Sequence, residues 1–155
     1  MTLEGTHYHV GIVVEDLESA AAQLTDLLGV TWGTISEVGE MTVRGPDGSD
    51  RLVPLRCVYS TEAPRLELIE EIPGSIWVRN EHSNLHHIGV WAEGLAGESD
   101  RLAATQCPLQ LAGVVGGDAP KMWAYHGGDL GVRIELVDVA LRATMEQSMF
   151  APPDA

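Results

Sequence analysis

The sequence predicts an α+β fold built from two copies of one strand–helix–strand–strand–strand (βαβββ) module. Three observations lead there. Residues 9–14 (HVGIVV) recur as residues 87–92 (HIGVWA), and residues 65–69 (RLELI) recur as residues 133–137 (RIELV). A stretch with helical periodicity follows each His-bearing segment. β-rich runs punctuated by Gly and Pro fill the interval before each Glu-bearing segment.

The elements follow in order. Residues 8–14 are a nearly continuous apolar, β-rich run and read as a strand. Glu15-Asp16-Leu17 opens a helix in which Leu17, Ala20, Ala21, Leu24, Leu27 and Leu28 fall at helical spacing, with Gly29 as its C-terminal cap. Residues 32–43 form a second strand region broken near Gly39. Gly45-Pro46-Asp47-Gly48 is a turn. Residues 52–59 and 65–71 are strands joined through a turn at 61–64. Pro73-Gly74 ends the first module, and residues 75–84 read as a linker with a helical turn around Ile76 and Trp77. The second module repeats the order. It has a strand at 87–92, a helix at 93–105 with Leu95, Leu102 and Ala103 inward, strands at 109–115 and 121–125, a turn at 126–129 and a strand at 131–139. A terminal helix over 140–150 places Leu141, Met145 and Met149 on one edge. One domain is expected over 1–155, with module one at 7–72, linker 73–84, module two at 85–139 and a tail at 140–155.

Composition narrows the function classes. The 155 residues are 45% hydrophobic and 21% charged, which suits a globular domain. Nine Lys and Arg against 23 Asp and Glu give a formal charge of −14. Nucleic acid and anionic membranes are poor partners for such a chain, because both are held by clustered cations. No apolar run approaches a membrane span, and no basic segment precedes an apolar one at the N-terminus. Cys57 and Cys107 lack CxxC spacing and read as reduced thiols, so a cytoplasmic location is expected.

The repeated residues carry chemistry. Side chains alternate faces along a strand, so His9 shares a face with Gly11 and Val13, while Tyr8, Val10, Ile12 and Val14 face the helices. The same alternation puts Glu67 with Arg65 and Ile69, His87 with Gly89 and Trp91, and Glu135 with Arg133 and Val137. Two imidazoles and two carboxylates therefore lie on the faces away from the helices. If both sheets curve round one cavity, the four converge, and imidazole with carboxylate suits a divalent metal. Taken singly, a His at a strand start is more often a hydrogen-bonded residue than a ligand. Arg65 and Arg133, two residues before each Glu, offer plain ion pairs as another explanation. The recurrence of His and Glu in both halves is what favours the metal.

These segments resemble the vicinal oxygen chelate (glyoxalase/bleomycin-resistance/dioxygenase) superfamily over residues 7–139. The resemblance implies curved mixed sheets wrapped round a central metal cavity. It implies one divalent ion (cobalt, nickel, zinc, manganese, magnesium or iron) on His9, Glu67, His87 and Glu135, and a homodimer. His87, not His86, is the match, since it stands before Ile-Gly as His9 stands before Val-Gly; His86 is expected on the helix side. Within the superfamily, residues 66–77 (LELIEEIPGSIW), 84–90 (NLHHIGV) and 125–135 (YHGGDLGVRIE) most resemble methylmalonyl-CoA epimerase-like proteins. Those use a second carboxylate base on a strand of module one, whereas residues 52–59 (LVPLRCVY) hold no acid, so Glu37, Glu40 or Asp50 would have to substitute from a position the sequence does not fix. A CoA thioester would also need Arg56, Arg65, Arg79 and Lys121 to gather.

The activity implied is metal-dependent isomerisation, epimerisation or lysis. Glu135 or Glu67 would abstract a proton next to a carbonyl, the ion would stabilise the enediolate, and an acyl thioester is the candidate substrate. Arg65 and Arg133 either hold a substrate carboxylate or pair with the glutamates, and Trp91, Trp123 and Tyr125 either line the pocket or pack the core. The alternatives are a glyoxalase I-like lyase and a metal-free small-molecule binding or resistance protein. An extradiol oxygenase is disfavoured by the fourth ligand, Glu67.

Overall fold

Strands β1 (His7–Val14) and β5 (Leu85–Ala92) lie side by side and antiparallel, and the rest of the molecule closes round them. The computed structural model describes residues 6–115 and 122–154. After β1 come helix α1 (Leu17–Leu28) and strands β2 (Ser36–Arg44), β3 (Asp50–Tyr59) and β4 (Arg65–Glu70). After β5 come α2 (Leu95–Ala104), β6 (Leu109–Gly113), β7 (Trp123–His126) and β8 (Arg133–Asp138). The eight strands form a closed mixed barrel in the order β1-β4-β3-β2-β6-β7-β8-β5. Only β1 with β4 and β5 with β8 run parallel. The β2–β6 seam is the shortest, with only Val43–Gly113 and Arg44–Ala112 paired among the described residues.

The local chemistry accounts for the element ends. Asp16 caps α1 by accepting from the Ser19 amide at 2.7 Å, and Gly29 ends it in the left-handed conformation at φ 71°. The break expected near Gly39 is a register shift between Val38 and Met41 in the β2–β3 ladder. The linker holds a turn at Pro73-Gly74 rather than a helical turn, and Trp77 is fully buried beneath it. Lys121, expected in a strand, lies outside the described residues.

Three apolar clusters follow from the barrel. Its interior is filled by large side chains that include Tyr8, Val13, Tyr59, Ile69, Trp91, Trp123 and Val137. Helix α1 covers one outer face, where Leu17 packs with Val58 and Leu68. Helix α2 covers another, where Leu95 packs with Val90, Ala124 and Leu136. Each such fully buried leucine contributes about 1.5–3 kcal/mol. The helical spacing over-read two ends: Leu27 and Leu28 are 71% and 70% exposed, and Ala103 is exposed. The tail forms a 3-10 turn (Val139–Leu141) and a short helix α3 (Arg142–Ser148), and Met145 and Phe150 join the barrel interior.

One expectation about facing is overturned. Tyr8 and His86, each directly before a predicted ligand, were placed on the helix side by alternation. The β1–β5 ladder shifts register between His7 and His9 and again between Gly11 and Ile12, where Leu85 becomes the partner. Each shift adds one residue and breaks the alternation. Tyr8 turns inward to stack on Trp91 at 3.8 Å, and His86 turns onto His87.

Candidate metal centre

The ladder registers explain why four side chains meet. Gly11 pairs with Glu67 on one side and His87 on the other, giving the lateral row Glu67–Gly11–His87–Arg133. Gly89 pairs with His9 and Glu135, giving the row Arg65–His9–Gly89–Glu135. Each row thus holds one His and one Glu with a glycine between them. Strands lie ~4.8 Å apart, so the gap over each glycine is the space a neighbouring ring can enter. It is used in that way. A Cβ on Gly11 would stand 1.9 Å from Cε1 of His87, and one on Gly89 would stand 1.8 Å from Cε1 of His9.

The resulting cluster is tight. The Nε2 atoms of His9 and His87 are 2.7 Å apart. Oε2 of Glu67 lies 3.3 Å from His9 Nε2 and 3.0 Å from His87 Nε2. Oε2 of Glu135 lies 3.0 Å from His9 Nε2 and 3.2 Å from His87 Nε2. All four residues are buried, and their ligand atoms lie within 4.8 Å of one another.

The donor set fits a divalent cation. Adjacent donors on an octahedral shell of ~2.1 Å radius are separated by roughly 3 Å, the spacing seen here. Both carboxylate Oε2 atoms are buried without a well-formed hydrogen bond. A buried carboxylate oxygen in that condition is costly unless a cation or proton lies against it.

A second layer fixes one ring. Nε2 of His86 lies 2.9 Å from the Ile76 carbonyl, which can only accept, so His86 carries its proton there. Its Nδ1 is then an acceptor, and His87 Nδ1, 2.9 Å away, is the donor. That assignment leaves the Nε2 lone pair of a neutral His87 aimed into the cluster. A ring nitrogen held by an outer partner is the usual arrangement of a ligating histidine.

Without an ion, the same carboxylates favour protons on the imidazoles. Burial pushes His87 down, but the Glu135 and Glu67 carboxylates outweigh it and bring it up to about 9. His9 is raised by the same contacts against the same burial. Burial pushes Glu67 and Glu135 up, yet the two imidazoles hold both below the usual carboxylate range. His86 goes the other way, down to about 3, through burial and then the charges of His87 and Arg133. In the metal-free chain the carboxylates therefore draw positive charge into the cluster.

Glu67 and Glu135 form part of the wall of a cavity of about 250 Å³ inside the barrel. Trp123 and Tyr125 line it, together with Trp77, Met41, Met122 and Leu55. The tail closes over it through Leu141, Thr144, Met145, Ser148 and Met149.

Other expected residues lie elsewhere. Arg65 donates to the Ser60 and Thr61 carbonyls at 2.8 and 2.6 Å and sits 4.1 Å over the Phe150 ring. Arg133 donates to Gln110 Oε1 at 2.7 Å. Neither lines the cavity, and among the described residues neither pairs with a glutamate, because nearer acceptors take both guanidinium groups. Trp91 is also outside the cavity wall, held against Tyr8. The substitute acids do not reach the cavity either. Glu37 lies 3.5 Å from Arg56, Asp50 is bonded to Arg44 at 2.6 Å, and Glu40 is exposed. Arg56 is held by Glu18 and Glu70, and Arg79 by Glu71 and Glu15, so the arginines do not gather.

Sequence reasoning missed Tyr59 and Cys57 in the cavity wall. Tyr59 pairs with Glu67 across β3–β4 as Tyr125 pairs with Glu135 across β7–β8. The signal was a Tyr before each Glu strand, hidden by unequal hairpin lengths.

The fold has relatives among solved structures. A methylmalonyl-CoA epimerase in complex with methylmalonyl-CoA and NH4+ superposes with a TM-score of 0.60 at 14% identity, over 87% of this chain and 94% of that one. A variant of the Streptomyces coelicolor epimerase in complex with 2-nitronate-propionyl-CoA gives 0.60 at 15% identity, again over 87% and 94%. The Mycobacterium tuberculosis epimerase gives 0.51 at 21% identity, over 90% and 91%. At these identities the likeness speaks for the fold. No curated protein matches the sequence significantly. A family model matches residues 8–125, most of the barrel and all four clustered residues but Glu135, and by that match the chain belongs to the Glyoxalase/Bleomycin resistance protein/Dioxygenase superfamily.

Proposed function

We propose that this chain is a metal-dependent isomerase, epimerase or lyase whose ion is held by His9, Glu67, His87 and Glu135. The observation that carries the reading is the convergence of four buried donor atoms, two of them carboxylate oxygens without a well-formed hydrogen bond. A divalent ion there would supply Lewis-acid polarisation of a substrate carbonyl. The chain's own residues divide the remaining work. Glu67 and Glu135 belong both to the cluster and to the cavity wall, so either carboxylate can take a proton from a carbon beside that carbonyl. Trp123 and Tyr125 confine the substrate and exclude water. His86 positions His87. Arg65 and Arg133 support the site from outside the cavity.

The same reading treats 7–72 and 85–139 as two βαβββ modules joined by 73–84, in a cytoplasmic homodimer acting on a small molecule. No described helix is long and apolar enough to cross a membrane.

Elemental analysis of purified wild type and His87→Ala tests the metal. About one ion per wild-type chain, lost in the variant, is expected. A protein that neither carries a metal nor takes up nickel, cobalt, zinc, manganese or iron would point instead to a metal-free binding protein, which the apolar cavity also suits.

A further inference from the structure

The cavity wall restricts what can enter beyond the metal. We propose that it takes a compact ligand with an uncharged aromatic ring, whose oxygens face Glu67 and Glu135 while the ring lies among Trp77, Trp123 and Met145. This rests on the metal reading only for the oxygen end of the ligand.

Size is the first argument. An apolar cavity of roughly 150 Å³ stays dry and holds benzene. The cavity here is about 250 Å³, which accommodates a ring and a short oxygenated side chain.

The wall chemistry is the second. Away from the two glutamates, the described wall is largely apolar and carries no Lys or Arg. The indole N–H of Trp77 lies 3.4 Å from the Tyr125 hydroxyl, so its polar edge is directed at the protein. Trp77 meets Trp123 edge-on, at 5.8 Å and 77°, the arrangement in which aromatic groups pack favourably against further rings. Met41 and Met145 add thioethers that adapt to an aromatic edge.

Charge is the third. A carboxylate on the far side of the ligand would lie against this wall without a cationic partner, which disfavours its binding. The nearby arginines do not offset it, since Arg56 and Arg79 are engaged with glutamates outside the cavity.

The test is calorimetric binding to the full chain after incubation with cobalt. The probes are 2-hydroxyacetophenone, its ring-carboxylated analogue 4-(hydroxyacetyl)benzoate, and hydroxyacetone, which keeps the oxygens and lacks the ring. At least ten-fold tighter binding of 2-hydroxyacetophenone than of either other probe is expected. In Thr144→Lys, which adds a cation at an exposed position of the wall, the carboxylated analogue should gain several-fold relative to the parent. Equal or tighter binding of the carboxylated analogue or of hydroxyacetone by wild type overturns the proposal, as does binding of none of the three by cobalt-loaded protein. Protein that takes up no cobalt but keeps the preference for 2-hydroxyacetophenone retains the ligand class and removes the metal reading.

Discussion

Gly89 holds open the space occupied by the imidazole of His9: a Cβ at this position would stand 1.8 Å from the ring. Gly11 does the same for His87 at 1.9 Å. The two glycines are thus part of the cluster's architecture, although neither contributes a donor. Gly89→Ala should force the His9 ring out of place. We expect a stability loss of about 1–3 kcal/mol from overpacking and a marked loss of metal. Gly39→Ala is the control, since a Cβ there meets nothing within 4 Å. Urea unfolding and metal titration read both effects. Wild-type metal affinity in Gly89→Ala would show that the close approach does not position His9.

His86 acts on the cluster through His87. Replacing it with Phe keeps a buried ring but removes the acceptor for His87 Nδ1. Loss of such an outer partner typically weakens metal binding 10–100-fold. The expected result for His86→Phe is a drop of that size in cobalt affinity with the fold retained by circular dichroism. His86→Gln, which can present an oxygen to the same N–H, should recover part of it. Equal affinities in all three proteins would reduce His86 to a packing residue.

Much of this architecture was legible in the sequence because the repeat carries it. His9 and His87 precede the same Val/Ile-Gly pair, and Glu67 and Glu135 follow the same Arg-Leu/Ile pair, so matching positions could be found without knowing the fold. The inward direction of those four followed from strand alternation alone. What alternation could not supply was its own interruption. Tyr8 and His86 sit where the β1–β5 ladder takes up an extra residue, and a shift of that kind depends on the partner strand.

The arginines illustrate a second limit. Arg65 and Arg133 share a strand face with the glutamates, and sequence spacing made them natural partners. A long flexible side chain goes to whatever acceptor is nearest in space. For Arg65 these are two hairpin carbonyls and for Arg133 the amide of Gln110 on strand β6, contacts set by neighbouring segments whose placement no periodicity within one strand records.

Phe150 anchors the tail. Its ring lies 5.0 Å from that of Tyr59 and 6.1 Å from that of Tyr8, and it carries the Arg65 guanidinium on its face. Phe150→Ala should cost about 3–5 kcal/mol, the usual range for a buried Phe truncated to Ala. Since Met149 and Met145 line the cavity just before it, the variant should also admit solvent to the indoles, seen as a red shift of tryptophan emission. A cost under 1 kcal/mol with unchanged emission would mean that the tail does not close the barrel.

His126 links strand β7 to helix α2 and gives the fold an acid-sensitive joint remote from the cluster. The ring is buried, with Nδ1 2.8 Å from the Cys107 carbonyl and Nε2 2.8 Å from the Ser99 hydroxyl. The carbonyl can only accept, so Nδ1 carries the proton and Nε2 accepts from Ser99. This pairing is complete with a neutral ring. Burial accordingly pushes His126 below its ordinary value, against a smaller upward effect of the Cys107 contact. A depressed folded value means that the stabilisation is fully present above the unfolded value of about 6.5 and is lost as pH falls through the folded one. The His126 contribution to the unfolding free energy, read in urea as wild type minus His126→Gln, should therefore decline from pH 7 to pH 5. His86, depressed, and His9 and His87, raised, act with opposite signs but alike in both proteins, so they cancel in that difference. An identical slope in wild type and variant would show that protonation of His126 does not contribute to acid sensitivity.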